Sequence, residues 1–430
     1  PNTATCSRHF GSGSGDGNPR IAAMVACSSN SMFDFVHRHG GLVSTKLEQK
    51  YLPEYGHLLQ AKAAIHEHEC IVTLPASLVL SSTAADALFG AGFGSDDSKL
   101  AFVLLHESTK ADSVWGPFID TLPTDFTLPF AWPEDVLKLA SASQLFTNIN
   151  SERATTTEEF RNIVLPIIRQ HPELLDEAAC TEQKYCWVKQ VLWTRGFRKS
   201  GHGMWLCPII DNANSQSNPE CVNAEIVAGD DGLYKLVCTS AIDAGSQVFV
   251  NYDSSMHTLE ILERYGYFDM TCCMHGVEIR LDSIPQLRDQ RALPEWKRAA
   301  IARCVGASSS IQRAEPTLLV TLPPDGCALL RAVRILHMRD DEERGREAAY
   351  EAACEPLAEG EESCLVAAID VIRSKLQGYP ETMPEAGAGT GRRAELEALA
   401  CKVPFFERYV LSHTLEALQS EVDGASDSDE

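Results

Sequence analysis

The chain has 430 residues, 44% of them hydrophobic, and a formal net charge of -23 at pH 7. That length suits two or three domains with a substantial core. The acidity argues against a nucleic-acid surface, which needs Lys and Arg to displace counterions, and favours a basic protein or peptide segment as partner. No run of about eighteen apolar residues is present, so no membrane span is expected. The fifteen Cys are scattered, with no Cys-x-x-Cys spacing, and read as reduced buried thiols, not as a disulfide framework or a zinc site. Pro1 opens the chain without an initiator Met, so a processed or truncated chain is expected. The expected state is a soluble intracellular monomer, with cytoplasm, nucleus and plastid all open.

Taken in order, residues 1–28 read as a flexible leader. Its Gly11–Gly17 run lacks the strand before and helix after that a phosphate-cradling loop requires. Phe33, Phe35 and Val36 before Gly40-Gly41 predict a short helix ending in a turn. His66-Glu67-His68-Glu69 reads as an exposed turn without a third ligand cluster, so no metal is expected, and Cys70–Leu74 is a strand stopped by Pro75.

Residues 80–190 are mostly helical by apolar spacing, notably Ser98–His106, Thr157–Gln170 and Glu182–Trp193. Strands return at Met204–Ile210. Asn223–Val227 and Tyr234–Cys238 then flank Gly229-Asp230-Asp231-Gly232 as a hairpin. A turn at Ala244-Gly245 leads to a strand over Gln247–Tyr252, and Leu259–Arg264 forms one or two helical turns. Beyond residue 275, helical periodicity appears in Ala328–Met338, Glu342–Ala358, Ser363–Gln377, Arg392–Ala400 and Phe405–Leu418. The last ten residues read as a solvated acidic tail.

Between Val191 and Phe268, Arg195, Asn214, Tyr252 and Tyr265 are spaced between short apolar strands, so a polar pocket is built from several turns. Together with Ile65–Pro75, the run Asp112–Pro123, Thr194-Arg195-Gly196-Phe197, Asp211–Asn214, Ala244–Tyr252 and Tyr265-Gly266-Tyr267, this order resembles the SET-domain protein methyltransferases. The resemblance is to the branch typified by the Rubisco large-subunit methyltransferase, and it covers roughly residues 31–420. It implies an α+β architecture in which a β-rich core of short strands, residues 29–270, is interrupted by a helical insert at about 82–190. An all-α substrate-binding-like domain follows at 271–419, and an acidic tail at 420–430. It also implies that the chain near Asn214 passes close to the Tyr265 segment.

The activity implied is methyl transfer from S-adenosylmethionine to a protein side chain, most often the lysine ε-amine, in a non-histone protein. Under the resemblance, Tyr265 is the catalytic tyrosine and Tyr252 its companion. Gly56, His57, Leu58, Arg195, Asn214 and Ser215 hold the cofactor, while Phe197, Ile210, Asp211 and Tyr267 line the substrate channel. Arg195 suits a carboxylate, and Asn214 supplies an acceptor for an amino group. Phe197 favours lysine, because histidine-methylating relatives tend to carry Asn there. Three positions depart from the pattern. Leu58 stands for a glycine where the backbone approaches a ligand or takes positive φ, Ser215 for a histidine, and His257-Thr258 for Ser-Asn. Two alternatives stay open: a catalytically impaired protein-binding module, and a protein-histidine methyltransferase.

Overall fold

The computed structural model describes residues 29–430 except 53–55, 91–93, 200–202, 230, 289–291, 307–315, 323, 325–326, 339–345, 356–361, 384–389 and 427–430. The expected leader lies outside the described residues. Strands in chain order are β1 (Leu42–Val43), β2 (Leu47–Leu52), β3 (Gly56–Ala61), β4 (Cys70–Pro75), β5 (Leu80–Ser81), β6 (Phe197–Lys199), β7 (Gly203–Leu206), β8 (Asn214–Ser215), β9 (Ala224–Ala228), β10 (Leu233–Cys238), β11 (Phe249–Val250), β12 (His275–Arg280) and β13 (Thr317–Leu322). Two compact units are present. The first comprises the chain through Val79 with Cys207–Asn214 and Asn223–Val248, and the second Leu80–Leu206, Ser215–Val222 and Phe249–Glu430.

In the first unit, the short helix predicted before Gly40-Gly41 is Ser29–Arg38, which buries Phe35 and Val36. An antiparallel sheet has the order β1-β4-β10-β9. The hairpin read from the glycine-flanked turn is there, with Tyr234 opposite Ala228. Its second strand alternates, burying Tyr234, Leu236 and Cys238, as a sheet with one face on the core requires. β2 and β3 form a separate hairpin in which Lys50 faces Leu58 and Leu52 faces Gly56.

The second unit holds the helices. Asp96–Thr109 is buried from Leu100 through His106 and begins at Ser95, whose Oγ accepts from Ser98 N. Glu182–Arg195 is capped in the same way by Thr181. The predicted Thr157–Gln170 helix is the end of a longer element. Gln144–Glu159 passes through a π-helical turn at Phe160–Val164 into Leu165–Gln170, where Pro166 removes one backbone donor.

Among the described residues beyond 271, helices dominate, but a strand pair interrupts them. β12 and β13 pair antiparallel, Val277 opposite Val320, within a core shared with Trp132, Leu145, Val410 and Leu411. The two helices expected at Arg392–Ala400 and Phe405–Leu418 are a single helix, Arg392–Ser426, that runs through Pro404. Burial of Val403 and Phe406 on either side holds it across the missing hydrogen bond. That helix also occupies most of the expected acidic tail. Among the described residues, no helix is long and apolar enough to cross a membrane.

Candidate functional site

The helix Thr258–Tyr265 ends at Gly266, which sits at φ +79°. A Cβ there would lie 2.2 Å from Thr127 Oγ1 and 2.6 Å from Leu128 N. Only glycine fits this left-handed, crowded point, and it reverses the chain between Tyr265 and Tyr267. Tyr265 meets Tyr252 with ring centroids 4.8 Å apart at 45°. All three tyrosines are half-buried. Burial, with Tyr252 and an acidic neighbour adding to it, pushes the Tyr265 and Tyr267 hydroxyls well above their ordinary range. They remain neutral and able to donate at any physiological pH.

Ser215 joins these pieces. Its Oγ accepts from Tyr252 N at 3.1 Å, and its side chain hydrogen-bonds that of Tyr267. The following residues continue the seam: Gln216 N donates to Val250 O at 2.9 Å, and Ser217 N donates to Asp269 Oδ2 at 3.3 Å. The stretch after Asn214 therefore runs beside the Tyr252 strand end and the turn after Tyr265, which is the proximity that the resemblance implies. Ser215, read from the sequence as a departure, is the residue that ties two of the tyrosines to one loop.

Arg195 and Phe197 belong to the same unit. Arg195 is the last residue of Glu182–Arg195, and Phe197 opens β6 opposite Trp205. Both are half-buried. A cation-π contact, Arg264 over the Trp193 ring at 4.8 Å, links this helix to the tyrosine helix.

The remaining site residues expected from the sequence lie in the first unit. Gly56 takes φ +69° at the start of β3. His57 packs edge-on against Tyr51 at 5.3 Å. Leu58 is fully buried within the strand and takes no positive φ. The strain expected where it replaces a glycine is therefore absent, because its side chain points into the unit's core. Asn214 Nδ2 donates to Gln247 Oε1 at 3.2 Å, and Gln247 bridges Gln60 on β3, with Val248 N donating to Leu59 O at 2.9 Å. Asn214 and the β3 turn region are thus tied through one glutamine. Ile210 is fully buried, and Asp211, 6% exposed, accepts from Asn212 Nδ2 at 2.8 Å. Both sit on a turn that positions Asn214.

Two features escaped the sequence reading. Ile209 takes φ +69° and ψ -52° while Ile210 N reaches back to Pro208 O at 2.8 Å, a γ-turn that is strained for a β-branched residue. The second is the burial of His257-Thr258, which head the tyrosine helix with 1% and 0% exposure.

No family model matches the chain. Among curated proteins, it is 24% identical over 330 residues to actin-histidine N-methyltransferase of Xenopus tropicalis, covering 72% of this chain and 53% of that protein. The human actin-histidine N-methyltransferase matches at 24% over 311 residues, covering 67% of this chain and 49% of the relative. The chloroplastic ribulose-1,5 bisphosphate carboxylase/oxygenase large subunit N-methyltransferase of Nicotiana tabacum matches at 26% over 259 residues, covering 56% and 52%. The chain spans about half the length of these curated relatives. Among solved structures, the SET domain of LSMT bound to lysine and AdoHcy superposes with a TM-score of 0.68 at 18% identity, covering 95% of this chain and 93% of that one. Rubisco LSMT bound to AdoMet gives 0.67 at 18%, covering 92% of each. The fold is that of these SET-domain structures.

Proposed function

We propose that this SET-fold chain is an S-adenosylmethionine-dependent protein methyltransferase whose acceptor is a lysine ε-amine. The observation that carries the reading is the tyrosine set Tyr252, Tyr265 and Tyr267 held by Ser215, in a chain that follows the LSMT fold over nearly its whole length. When bound, the cofactor supplies an electrophilic methyl group on a sulfonium.

What this chain's residues contribute can be derived. A lysine ammonium, with a pKa near 10.4, has no lone pair for attack, so the acceptor must lose its proton first. Half-buried tyrosines around the acceptor would disfavour the ammonium. Neutral Tyr265 and Tyr267 hydroxyls can then accept from or donate to the amine and orient its lone pair, with proximity supplying much of the rate. With the cofactor bound, the neutral amine would take the methyl group as the carbon–sulfur bond broke, its own proton having left to solvent.

The residues present fit the cofactor in character. In the second unit, Arg195 offers a guanidinium fork for a carboxylate. In the first unit, Gln247 holds Asn214 through its Nδ2, leaving Oδ1 to accept from an amino group. The well-buried Leu58 replaces glycine without backbone strain. A basic peptide segment suits the net charge of -23.

A second reading, histidine methylation, is favoured by the relatives named for actin-histidine transfer. Phe197 supports lysine. Calorimetric titration of S-adenosylmethionine separates an enzyme from a non-enzymatic binding module. Binding that weakens about tenfold in Arg195→Ala, the loss of one charge-assisted contact, is expected; no binding at millimolar ligand sinks the enzyme reading. With labelled cofactor and a fractionated lysate, a site-mapped methyl group on Lys supports the first acceptor, and one on His replaces it with the second.

A further inference from the structure

His257 begins the tyrosine helix with 1% exposure, in a capping box in which its side chain faces the Glu260 backbone N–H and Glu260 Oε2 accepts from His257 N at 3.1 Å, while its Nε2 has no hydrogen-bond partner. A ring nitrogen cut off from water ordinarily finds a partner. Here Nε2 lies 3.7 Å from Glu260 Oε2 and 3.9 Å from Glu278 Oε1, too far to bond either. Both glutamates are themselves buried, at 0% and 4% exposure, and one ligating atom from each of the three residues lies within 4.8 Å of the others.

The surroundings are built to hold this arrangement. β12 presents Gly276 and Glu278 on one face, two residues apart. A Cβ on Gly276 would stand 3.2 Å from the His257 ring, so the glycine leaves room for the imidazole against the strand. Asn148 Nδ2 donates to Glu278 Oε2 at 3.0 Å, and Gln144 Nε2 donates to Asn148 Oδ1 at 3.1 Å, a chain of amides that fixes the carboxylate's orientation. Gln144, Asn148, His257 and Glu278 line a cavity of about 10 Å³, the room of a single water or ion.

We propose that His257, Glu260 and Glu278 bind a divalent first-row transition-metal ion at the buried start of the tyrosine helix. Metal bonds of about 2.0–2.2 Å in a tetrahedral set place neighbouring ligand atoms about 3.4 Å apart. The two measured separations from Nε2 are within about half an ångström of that. One imidazole nitrogen with two carboxylates suits zinc, manganese or iron(II), whereas calcium and magnesium prefer all-oxygen sets and copper(I) prefers sulfur. Held there, the ion fastens the N-terminus of Thr258–Tyr265 to β12, so it positions Tyr265 without touching the reacting atoms. Nothing in this assignment depends on the activity proposed above.

The test uses the full chain, free of any histidine tag and purified without chelator. Mass spectrometry of elements is expected to find about one equivalent of a transition metal. The chelator-stripped chain is expected to take up one cobalt(II) with a visible spectrum of nitrogen and oxygen ligation, lacking the intense near-ultraviolet band of thiolate ligation. His257→Gln and Glu278→Gln should each cut cobalt affinity at least tenfold, with unchanged far-ultraviolet circular dichroism certifying the fold. The titration of the unmutated chain stands even where a variant does not fold. A folded, stripped chain that takes up no cobalt at micromolar concentration, a thiolate spectrum, or uptake indifferent to both substitutions overturns the proposal.

Discussion

Arg264 lays its guanidinium over the indole of Trp193, 4.8 Å from the ring centroid, with Phe130 edge-on to the same indole at 5.1 Å and Glu152 3.9 Å from the guanidinium. Trp193 lies two residues before Arg195, and Arg264 immediately precedes Tyr265. One stacked pair therefore sets the spacing between the arginine end and the tyrosine end within this unit. Trp193→Leu removes a partly buried cation-π contact and an aromatic pair, and is expected to cost about 2 kcal/mol. Denaturant unfolding measures that. Methyl transfer at saturating cofactor is expected to fall with it, and an unchanged rate would detach the pair from catalysis.

Tyr265→Phe keeps the ring against Tyr252 and removes only the hydroxyl. Methyl transfer is expected to drop about a hundredfold, the usual loss of one positioned polar group in a water-poor site, with circular dichroism unaltered. Tyr267→Phe instead releases the Ser215 side chain, costing about 1 kcal/mol of stability and a smaller share of the rate. Equal rates for Tyr265→Phe and the unmutated chain would remove Tyr265 from its role.

Gly266→Ala combines a left-handed backbone, worth 1–2 kcal/mol against an L side chain by itself, with a Cβ 2.6 Å from a backbone nitrogen. A loss of about 3 kcal/mol is expected. Because Leu128 N belongs to the main chain, no side-chain rotation relieves the clash. A change below about 0.5 kcal/mol would contradict the turn described.

Burial pushes the Glu407 carboxyl up to about 7, against the opposing pull of the Ser143 hydroxyl, which donates at 2.7 Å, and of Lys375. Between the ordinary value of 4.5 and about 7, the folded chain keeps this proton and the unfolded chain has lost it. The contribution to stability is therefore full below the unfolded value and lost as pH rises through about 7, roughly 3 kcal/mol in all. Melting temperature should fall between pH 5 and 8 by more in the unmutated chain than in Glu407→Gln. Parallel curves would refute the assignment.

Much of this was legible from the order of the residues. Cys70–Pro75 and the glycine-flanked hairpin of β9 and β10 were readable because period-two burial writes itself into the sequence, whereas Tyr265-Gly266-Tyr267 stood out only through the resemblance and its left-handed turn was not foreseen. Arg392–Ser426 was not, since Pro404 is a local stop signal that only distant packing overrides. β12 hid behind Gly276, Glu278 and Arg280, whose composition speaks for a surface although the strand lies in the core. Ile209 gave no sign at all, for a positive φ in a β-branched residue follows from the surrounding turn and from no propensity of its own. Of the expected site, Ser215 and the tyrosines meet in one unit and Asn214 with the β3 turn in the other. His257 drew notice only as a departure from pattern, its significance depending on Glu278, far along the chain.

The contact between Ser143 and Glu407 spans 264 positions. Leu145 and Ile149 complete their core only with Val410 and Leu411, and Asp135 finds Arg393 from the same late helix. On the ribosome, then, the insert is finished long before its partner emerges. Its apolar face must wait through the synthesis of some two hundred and fifty intervening residues, a delay of the order of tens of seconds at ordinary elongation rates. The helix Arg392–Ser426 closes a core begun at residues 135–149, so quality control in the cell meets this protein as an open half-structure until that helix has been made.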